Sequence, residues 1–267
     1  MKKIFLFSVV LGALSFCLPQ VILASCGLAG CPMKQGTATR NHIVDQAVRT
    51  TSFDLDGQSG HYWQYEPRYE YWGVPKLIVG GFGSYITLEE GGETHSGFGN
   101  PVLFGQYSIY ARPDMDVSFG SQLELPFGDD EHGLAAEHTE LVPYAIIQNS
   151  LRTMHWMGAL GARFALNSDD DHEGHHELFV NPHEDKELLV RAHIRFQEIV
   201  SHLIPEFFVD GQHALEGEDD GISFFSLGLG AQFLLSPNVS ISPKLEWPVT
   251  SPRRFEDRFG LNIRCDF

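Results

Sequence analysis

Apolar and polar residues alternate along this chain with a period of two, over stretches longer than most strands of soluble proteins. In HYWQYEPRYEYW (61–72), aromatic residues occupy one face and charged or amide residues the other. The same alternation runs through 115–127, 154–167 and 187–199. Strict alternation predicts β-strands. Globular strands are most often about 5–6 residues long, whereas a strand that crosses a membrane needs about 9–11.

The pattern predicts twelve strands, and the connections between them come in two alternating kinds. Short links follow the even-numbered strands, whereas most of the longer, acidic links follow the odd-numbered ones. This arrangement is typical of an all-β, transmembrane, antiparallel up-and-down β-barrel with short periplasmic turns and longer acidic outer loops. We expect about 12 strands, within a range of 10–14; a soluble secreted β-sandwich is the alternative. The predicted strands are 47–56, 61–72, 75–88, 98–111, 115–127, 138–149, 154–167, 187–199, 203–214, 221–235, 238–249 and 256–267.

The last strand supports the barrel prediction. Residues 258–267 alternate strictly up to the final residue, Phe267. A sheet edge is not tolerated in lipid, so we expect this strand to pair with the first and close the ring. The stretch FGLNIRCDF also resembles the closing strand of bacterial outer-membrane barrels, which ends on an aromatic residue. That resemblance implies that Phe267 is part of a signal read by the barrel assembly machinery.

Composition and the N-terminus restrict the location. Lys2 and Lys3 precede an apolar stretch and then small residues, which is typical of a secretory signal peptide over 1–25. We predict a periplasmic segment over 26–46, a barrel over 47–267, and the outer membrane of a Gram-negative bacterium as the location. The formal net charge of −17 argues against nucleic acid as a partner, because binding phosphates requires clustered Lys and Arg.

Two cysteines follow the predicted cleavage site. Cys26 and Cys31, in SCGLAGC, are close enough in sequence to bridge a tight loop in an oxidising compartment. LASC at 23–26 also resembles the signal for acylation of the cysteine, so lipidation of Cys26 is the alternative. Both interpretations stay open at this point.

Residues 97–144 are GFGNPVLFGQYSIYARPDMDVSFGSQLELPFGDDEHGLAAEHTELVPY. This stretch resembles the outer-membrane transporter family named for the meta-pathway of phenol degradation. In that family a GxGDxxLxxxY strand is followed by an apolar strand ending LPTGDDEKGLGSG. Asn100 replaces the usual Asp, and Phe127 replaces a Thr. The resemblance implies an outer-membrane barrel that passes small organic molecules. The matching residues are Gly97, Gly99, Gly128, Asp129, Asp130, Gly133 and Leu134.

Two groups of residues are candidates for binding or transport. The first is the acidic stretch SDDDHEGHHELFVNPHEDK (168–186), in which His172, His175, His176 and His183 are candidate metal ligands. Their spacing matches no closed site, and a solvated surface loop is the competing interpretation. Weak capture of divalent cations, or bridging to lipopolysaccharide through them, is the metal-binding alternative. No cofactor is expected.

The second group consists of charged residues that the predicted registers direct into the barrel. They either line a water-filled pore or pair with one another inside a closed barrel. On one strand, Arg191, His193 and Arg195 form a basic stripe that either attracts an anion or pairs with Glu206 and Asp210. The predicted inward charges are Glu66, Arg68, Glu70, Glu124, Arg163, Arg191, His193, Arg195, Glu206, Asp210, Lys244, Glu246, Arg258 and Arg264.

These observations predict a channel for passive passage of small solutes, with small organic or aromatic compounds as candidates. A non-conducting barrel with a binding or structural role, whose His-rich loop contacts divalent cations, is the alternative. No nucleophile, metalloprotease or phosphate-loop motif occurs in the sequence, and no enzymatic activity is expected. The expected partners are the outer membrane with its lipopolysaccharide, the barrel assembly machinery and a small-molecule solute.

Overall fold

The computed structural model describes residues 41–55, 57–166, 180–197, 202–217 and 219–267. Every regular element within these ranges is a β-strand. No helix in these ranges is long and apolar enough to span a bilayer. The strands are β1 (His42–Leu55), β2 (Gln58–Val74), β3 (Leu77–Phe82), β4 (Tyr85–Glu90), β5 (Glu93–Phe98), β6 (Val102–Ala111), β7 (Met115–Glu124), β8 (Thr139–Ser150), β9 (Met154–Leu166), β10 (Lys186–Phe196), β11 (Leu203–Glu216), β12 (Ser223–Ser236), β13 (Val239–Pro248) and β14 (Asp257–Asp266).

The fourteen strands named above form a closed antiparallel barrel with twelve strand positions around the ring, which are called staves below. This confirms the predicted fold class and strand count. β1 pairs with β2 on one side and with β14 on the other, so the ring has no free edge there. Two staves are interrupted. β3 and β4 both pair with β2 and follow each other along one stave. Along the next stave, β6 pairs with β3 and β5 pairs with β4.

The interruptions lie side by side, at 83–84 and 99–101. Pro101 has no backbone N–H to donate to a sheet, which favours a break there. The backbone N of Gly99 still donates to the O of Ser84, at 3.1 Å, so the two broken staves remain linked.

Besides the interruptions in the predicted strands 75–88 and 98–111, the structure differs from the prediction in three larger respects. β1 begins at His42 rather than at residue 47, and residues 43–46 pair on both sides. The glycine-rich stretch after residue 88 is not an open loop: β4 and β5 continue as a hairpin around Gly91 and Gly92, both with positive φ. The connection 125–138 folds inward instead of standing free, as described below.

The two faces of the barrel wall differ as the alternation predicts. Inward positions of β2, including Gln64, Glu66 and Arg68, are buried, whereas the outward Trp63 and Tyr69 are exposed. The same contrast continues around the ring, where Phe207, Leu229 and Leu245 form part of an exposed apolar band. A band of this kind on the outside of a closed barrel is what lipid requires.

The start of β1 and the end of β14 meet at the end of the barrel that carries the short turns. The N of Phe267 donates to the O of His42 at 2.8 Å, directly after the β1–β14 ladder. The connections at this end are short, among them 75–76, 112–114, 151–153 and 237–238. The opposite end carries 125–138, 180–185 and 249–256, and these three segments are called the outer mouth below.

The lipid-facing band makes a stability prediction. Leu229 lies outward at the middle of β12, paired between Phe207 and Leu245. Leu229→Arg should lower the free energy of unfolding by about 2–4 kcal/mol in lipid vesicles, because the charge sits near the membrane midplane. Val249→Arg, outward at the long-loop end, should cost about 1 kcal/mol or less. Urea titration in vesicles measures both, and equal small costs at the two depths would contradict a membrane-facing band.

Candidate functional site: the barrel interior and its outer mouth

The structure places all fourteen predicted inward charges on the inner face of the barrel wall. They occupy the alternate positions of β2, β7, β9, β10, β11, β13 and β14 that point away from the exposed apolar band. That they line a conducting pore stays a prediction. What the structure adds is how they are paired.

Glu206 is the centre of one inner cluster. Its carboxylate, 1% exposed, lies 3.0 Å from Nε2 of His193, 3.1 Å from Nζ of Lys244 and 3.8 Å from a guanidinium nitrogen of Arg195. Lys244 is two strands away and reaches Glu206 across β12, where Gly230 stands directly between them in the register. A side chain at position 230 would crowd Lys244, because its Cβ would lie 3.0 Å from Cγ of that residue.

The basic stripe on β10 is therefore compensated by its neighbours. Arg191 donates to Asp210 at 2.5 Å, and His193 and Arg195 share Glu206. The structure favours the pairing interpretation over a free anion site. A further pair, Arg258 with Glu246 at 3.2 Å, continues this wall onto β13 and β14.

A second set of ion pairs lies on the β1–β2 side of the interior. Arg49 donates to Glu66 at 3.1 Å, Arg68 lies 2.9 Å from Glu70, and Arg264 donates to Asp266 at 2.9 Å. The sequence interpretation missed the buried Asp45, because β1 starts earlier than expected. It also missed Arg49, because the inward face of β1 carries the apolar Ile43 and Ala47 as well. A mixed inner face weakens the alternation that identifies charged inward positions.

One part of the interior is apolar. Inward residues of β8 (Val142, Tyr144 and Ile146) pack with Met157 and Ala159 of β9 and Leu189 of β10 in one buried cluster. This inner apolar wall has a sequence signal in hindsight. The stretch LVPYAII in β8 is apolar on both faces, which is typical of a strand buried on both sides.

At the outer mouth, residues 125–138 fold into the barrel. Leu134, 2% exposed, joins inward residues of three strand ends in a buried apolar cluster with Val180. The strand members of this cluster are Phe53, Tyr62, Ile86 and Leu88. The segment therefore narrows the mouth from inside.

Asn100 fixes the 125–138 segment at two points. Its Oδ1 accepts a hydrogen bond from the N of Gly128 at 2.9 Å, and its Nδ2 donates to the O of Ala136 at 2.7 Å. The packing around this segment leaves no room for a side chain at two glycines. A Cβ at Gly97 would lie 2.4 Å from Oδ2 of Asp129, and one at Gly128 would lie 2.4 Å from the Cβ of Ala135. Gly97, Gly128 and Asp129 therefore lie where the inward-folded segment contacts its surroundings most closely.

Glu140 organises the charged part of the mouth. It is 0% exposed, lies 3.1 Å from Nε of Arg163, and contacts His138 and His183 on its other side. Arg163 also lies 3.5 Å from Glu187, which contacts Arg254 as well. The adjacent carboxylate of Glu140 raises the pKa of His138, against the opposing effect of burial.

The predicted metal and thiol residues are only partly within the described ranges. His172, His175 and His176 lie outside them, as do Cys26 and Cys31. His183 is described, and it meets two residues that the sequence interpretation did not select, His138 and Glu140. The i, i+2 spacing of His138 and Glu140 in the predicted strand 138–149 places these two residues on one face, but nothing in the sequence indicates that His183 meets them.

Solved structures with a similar fold are outer-membrane barrels. The COG4313 outer membrane channel from Pseudomonas putida F1 aligns with a TM-score of 0.68 at 11% identity, over 88% of this chain and all of that one. The NanC porin aligns with a TM-score of 0.56 at 11% identity, over 83% of this chain and 100% of the other. The KdgM porin gives 0.53 at 9% identity, over 84% and 99%. No family model and no curated protein matches the sequence.

At these identities the similarity establishes the fold. The chain is an all-β closed barrel of the kind that outer-membrane channels and porins adopt.

The inward fold of 125–138 yields a prediction. Asn100→Ala removes two hydrogen bonds, each worth about 0.5–1.5 kcal/mol, so amide exchange within 128–136 should accelerate. The expected range is about 5-fold to 100-fold, since 1.4 kcal/mol corresponds to tenfold.

Mass-spectrometric hydrogen exchange on the folded barrel measures this. Asn238→Ala, in the turn at the opposite end, is the control and should leave 128–136 unchanged. Identical exchange in wild type and Asn100→Ala would contradict the two-point attachment.

Proposed function

We propose that this protein is an outer-membrane channel for passive passage of small solutes. The observation that carries the proposal is the interior itself. Ion pairs extend from Arg264 and Asp266 at the short-turn end to Arg254 at the outer mouth, inside a wall whose outside is apolar. A polar interior within a lipid-facing barrel is characteristic of porins. The names of the similar structures, a channel and two porins, support the same class.

The position of a cavity at the outer mouth supports one route by which a solute would enter the barrel. The 125–138 segment covers the β4–β5 side, whereas a cavity of about 60 Å³ opens on the opposite side. Its inner lining includes Asp210, Glu246 and Arg258, and its outer rim includes Arg253 and Phe255. It has room for a few water molecules. We place the solute path there, with the paired side chains of Arg191 and Arg258 moving aside during passage.

We propose small organic compounds, aromatic ones among them, as the solutes. The inner apolar wall on β8, β9 and β10 faces an interior that also carries paired charges. A solute with an apolar ring and one charged group can contact both surfaces. The resemblance of 97–144 to the family named for phenol degradation supports the same class of solute.

The remaining assignments belong to the same proposal. The chain would be exported through the 1–25 signal peptide and inserted by the barrel assembly machinery, with Phe267 as part of the recognised strand. Outer-membrane lipid, including lipopolysaccharide, would surround the apolar band. We assign no catalytic role to any residue and no nucleic-acid partner.

Solute uptake by liposomes tests the proposal. Vesicles that contain the purified barrel should admit a small sugar and benzoate. Ser226 lies inward, borders the cavity and donates to Glu246 at 2.7 Å. Ser226→Trp should therefore fill the path and lower uptake several-fold. Leu227→Trp, one residue along and outward on the lipid face, is the matched control and should leave uptake unchanged.

Folding of each variant is checked by its mobility on a detergent gel before and after boiling. A folded, inserted wild-type barrel that admits neither solute would contradict the channel and favour the non-conducting alternative with a binding or structural role.

A further inference from the structure

Three side chains at the outer mouth converge on one point. The two carboxylate oxygens of Glu140 have different partners. Oε2 lies 3.1 Å from Nε of Arg163, and Oε1 faces the imidazoles of His138 and His183. Nε2 of His138 lies 3.4 Å from Oε1, and Nε2 of His183 is in direct contact with the same atom. The three potential ligand atoms all lie within 4.8 Å of one another.

The surroundings orient these groups as they would metal ligands. Nδ1 of His183 lies 2.9 Å from the carbonyl O of Asn181. A carbonyl oxygen only accepts, so Nδ1 carries a proton and Nε2 is the nitrogen directed at Glu140. A histidine that donates its other ring N–H to a carbonyl is the usual outer arrangement around a metal. Arg163 does the same for the carboxylate, since it holds Oε2 and leaves Oε1 available.

The local charge favours a cation. Glu124 stands directly opposite Glu140 in the β7–β8 register, Glu187 shares Arg163, and Asp185 lies at the solvent side. With both imidazoles neutral, as metal ligands must be, the carboxylates of Glu140, Glu187 and Asp185 outnumber the two guanidinium groups beside them, those of Arg163 and Arg254. A divalent ion at the convergence point would balance the excess negative charge, because the effective dielectric constant is low where Glu140 is buried.

We propose that His138, Glu140 and His183 form a binding site for a divalent transition metal, with zinc as the best fit. Two imidazole nitrogens and one carboxylate oxygen are a zinc donor set, and magnesium and calcium prefer oxygen ligands alone. Asp185, whose Oδ1 lies 4.0 Å from Nε2 of His138, or a water takes the fourth position. Zinc bonds of 2.0–2.2 Å place tetrahedral ligands about 3.3 Å apart, so side-chain shifts of about 1 Å suffice.

The site has a structural consequence for the mouth. His138 ends the inward-folded 125–138 segment, Glu140 belongs to β8, and His183 belongs to the 180–185 segment. A bound metal would tie two of the three segments of the outer mouth, 125–138 and 180–185, to the barrel wall. This inference does not depend on conduction, because the three residues converge whether or not the barrel passes a solute.

Calorimetric titration of the purified, folded barrel with zinc chloride in detergent tests the proposal. Wild type should bind one zinc per chain. His138→Ala and His183→Gln should each weaken binding by about 100-fold or more, beyond the 10-fold to 100-fold typical of outer-shell changes. The combined variant His172→Ala, His175→Ala and His176→Ala leaves all three proposed ligands in place and should retain the stoichiometric site.

Two further measurements keep the test decisive. His95 lies on β5 and stacks on His132, outside the cluster. His95→Ala is the matched single-residue control and should bind zinc as wild type does. Cobalt loaded into wild type should give the intense visible absorption of a four-coordinate site, a readout that needs no variant. Absence of stoichiometric zinc binding in wild type would overturn the proposal. So would loss of binding in the triple variant with full retention in His138→Ala and His183→Gln.

Discussion

Closure of the sheet on itself is the constraint from which the rest of this structure follows. In lipid no water is available to pair with backbone N–H and C=O groups, so an open strand edge is excluded. The pairing of β1 with β14 over Ile43 to Ser52 removes that edge. Once the ring is closed, each strand must present alternate residues to lipid and to the interior. The exposed apolar band and the charged interior therefore both follow from the alternation of residues along each strand of the closed barrel.

The buried charged side chains of the interior are stabilised by partners of opposite charge. Glu206 and Glu140 are almost completely buried, and each has more than one cationic or imidazole partner. Breaking such an arrangement by removing one partner is costly, because the remaining charge stays buried. The pairing therefore makes the interior both polar and well ordered. A solute that entered would have to replace some of the contacts that the paired side chains make with one another.

The alternation along the sequence was sufficient to predict the barrel, its twelve staves and the inward direction of the charged residues, because the period of two is a local property. It could not identify the start of β1, whose inward face mixes Ile43 and Ala47 with Asp45 and Arg49. The inward fold of 125–138 was also missed, since it depends on Asn100 and Leu134 meeting distant partners. The convergence of His138, Glu140 and His183 is long-range in the same sense, and only His183 was selected from composition.

Single-channel current in planar bilayers tests most directly the central claim that the ion-paired interior is a solute path. The paired charges should discriminate weakly by sign, whereas exposed acids at the mouth, such as Glu131 and Glu256, should concentrate cations. The screening length is about 10 Å at 0.1 M salt and shorter above it. The account predicts discrete current steps with mild cation selectivity in dilute salt, which fades as the salt concentration rises. Folded barrels that insert and give no current steps would contradict it.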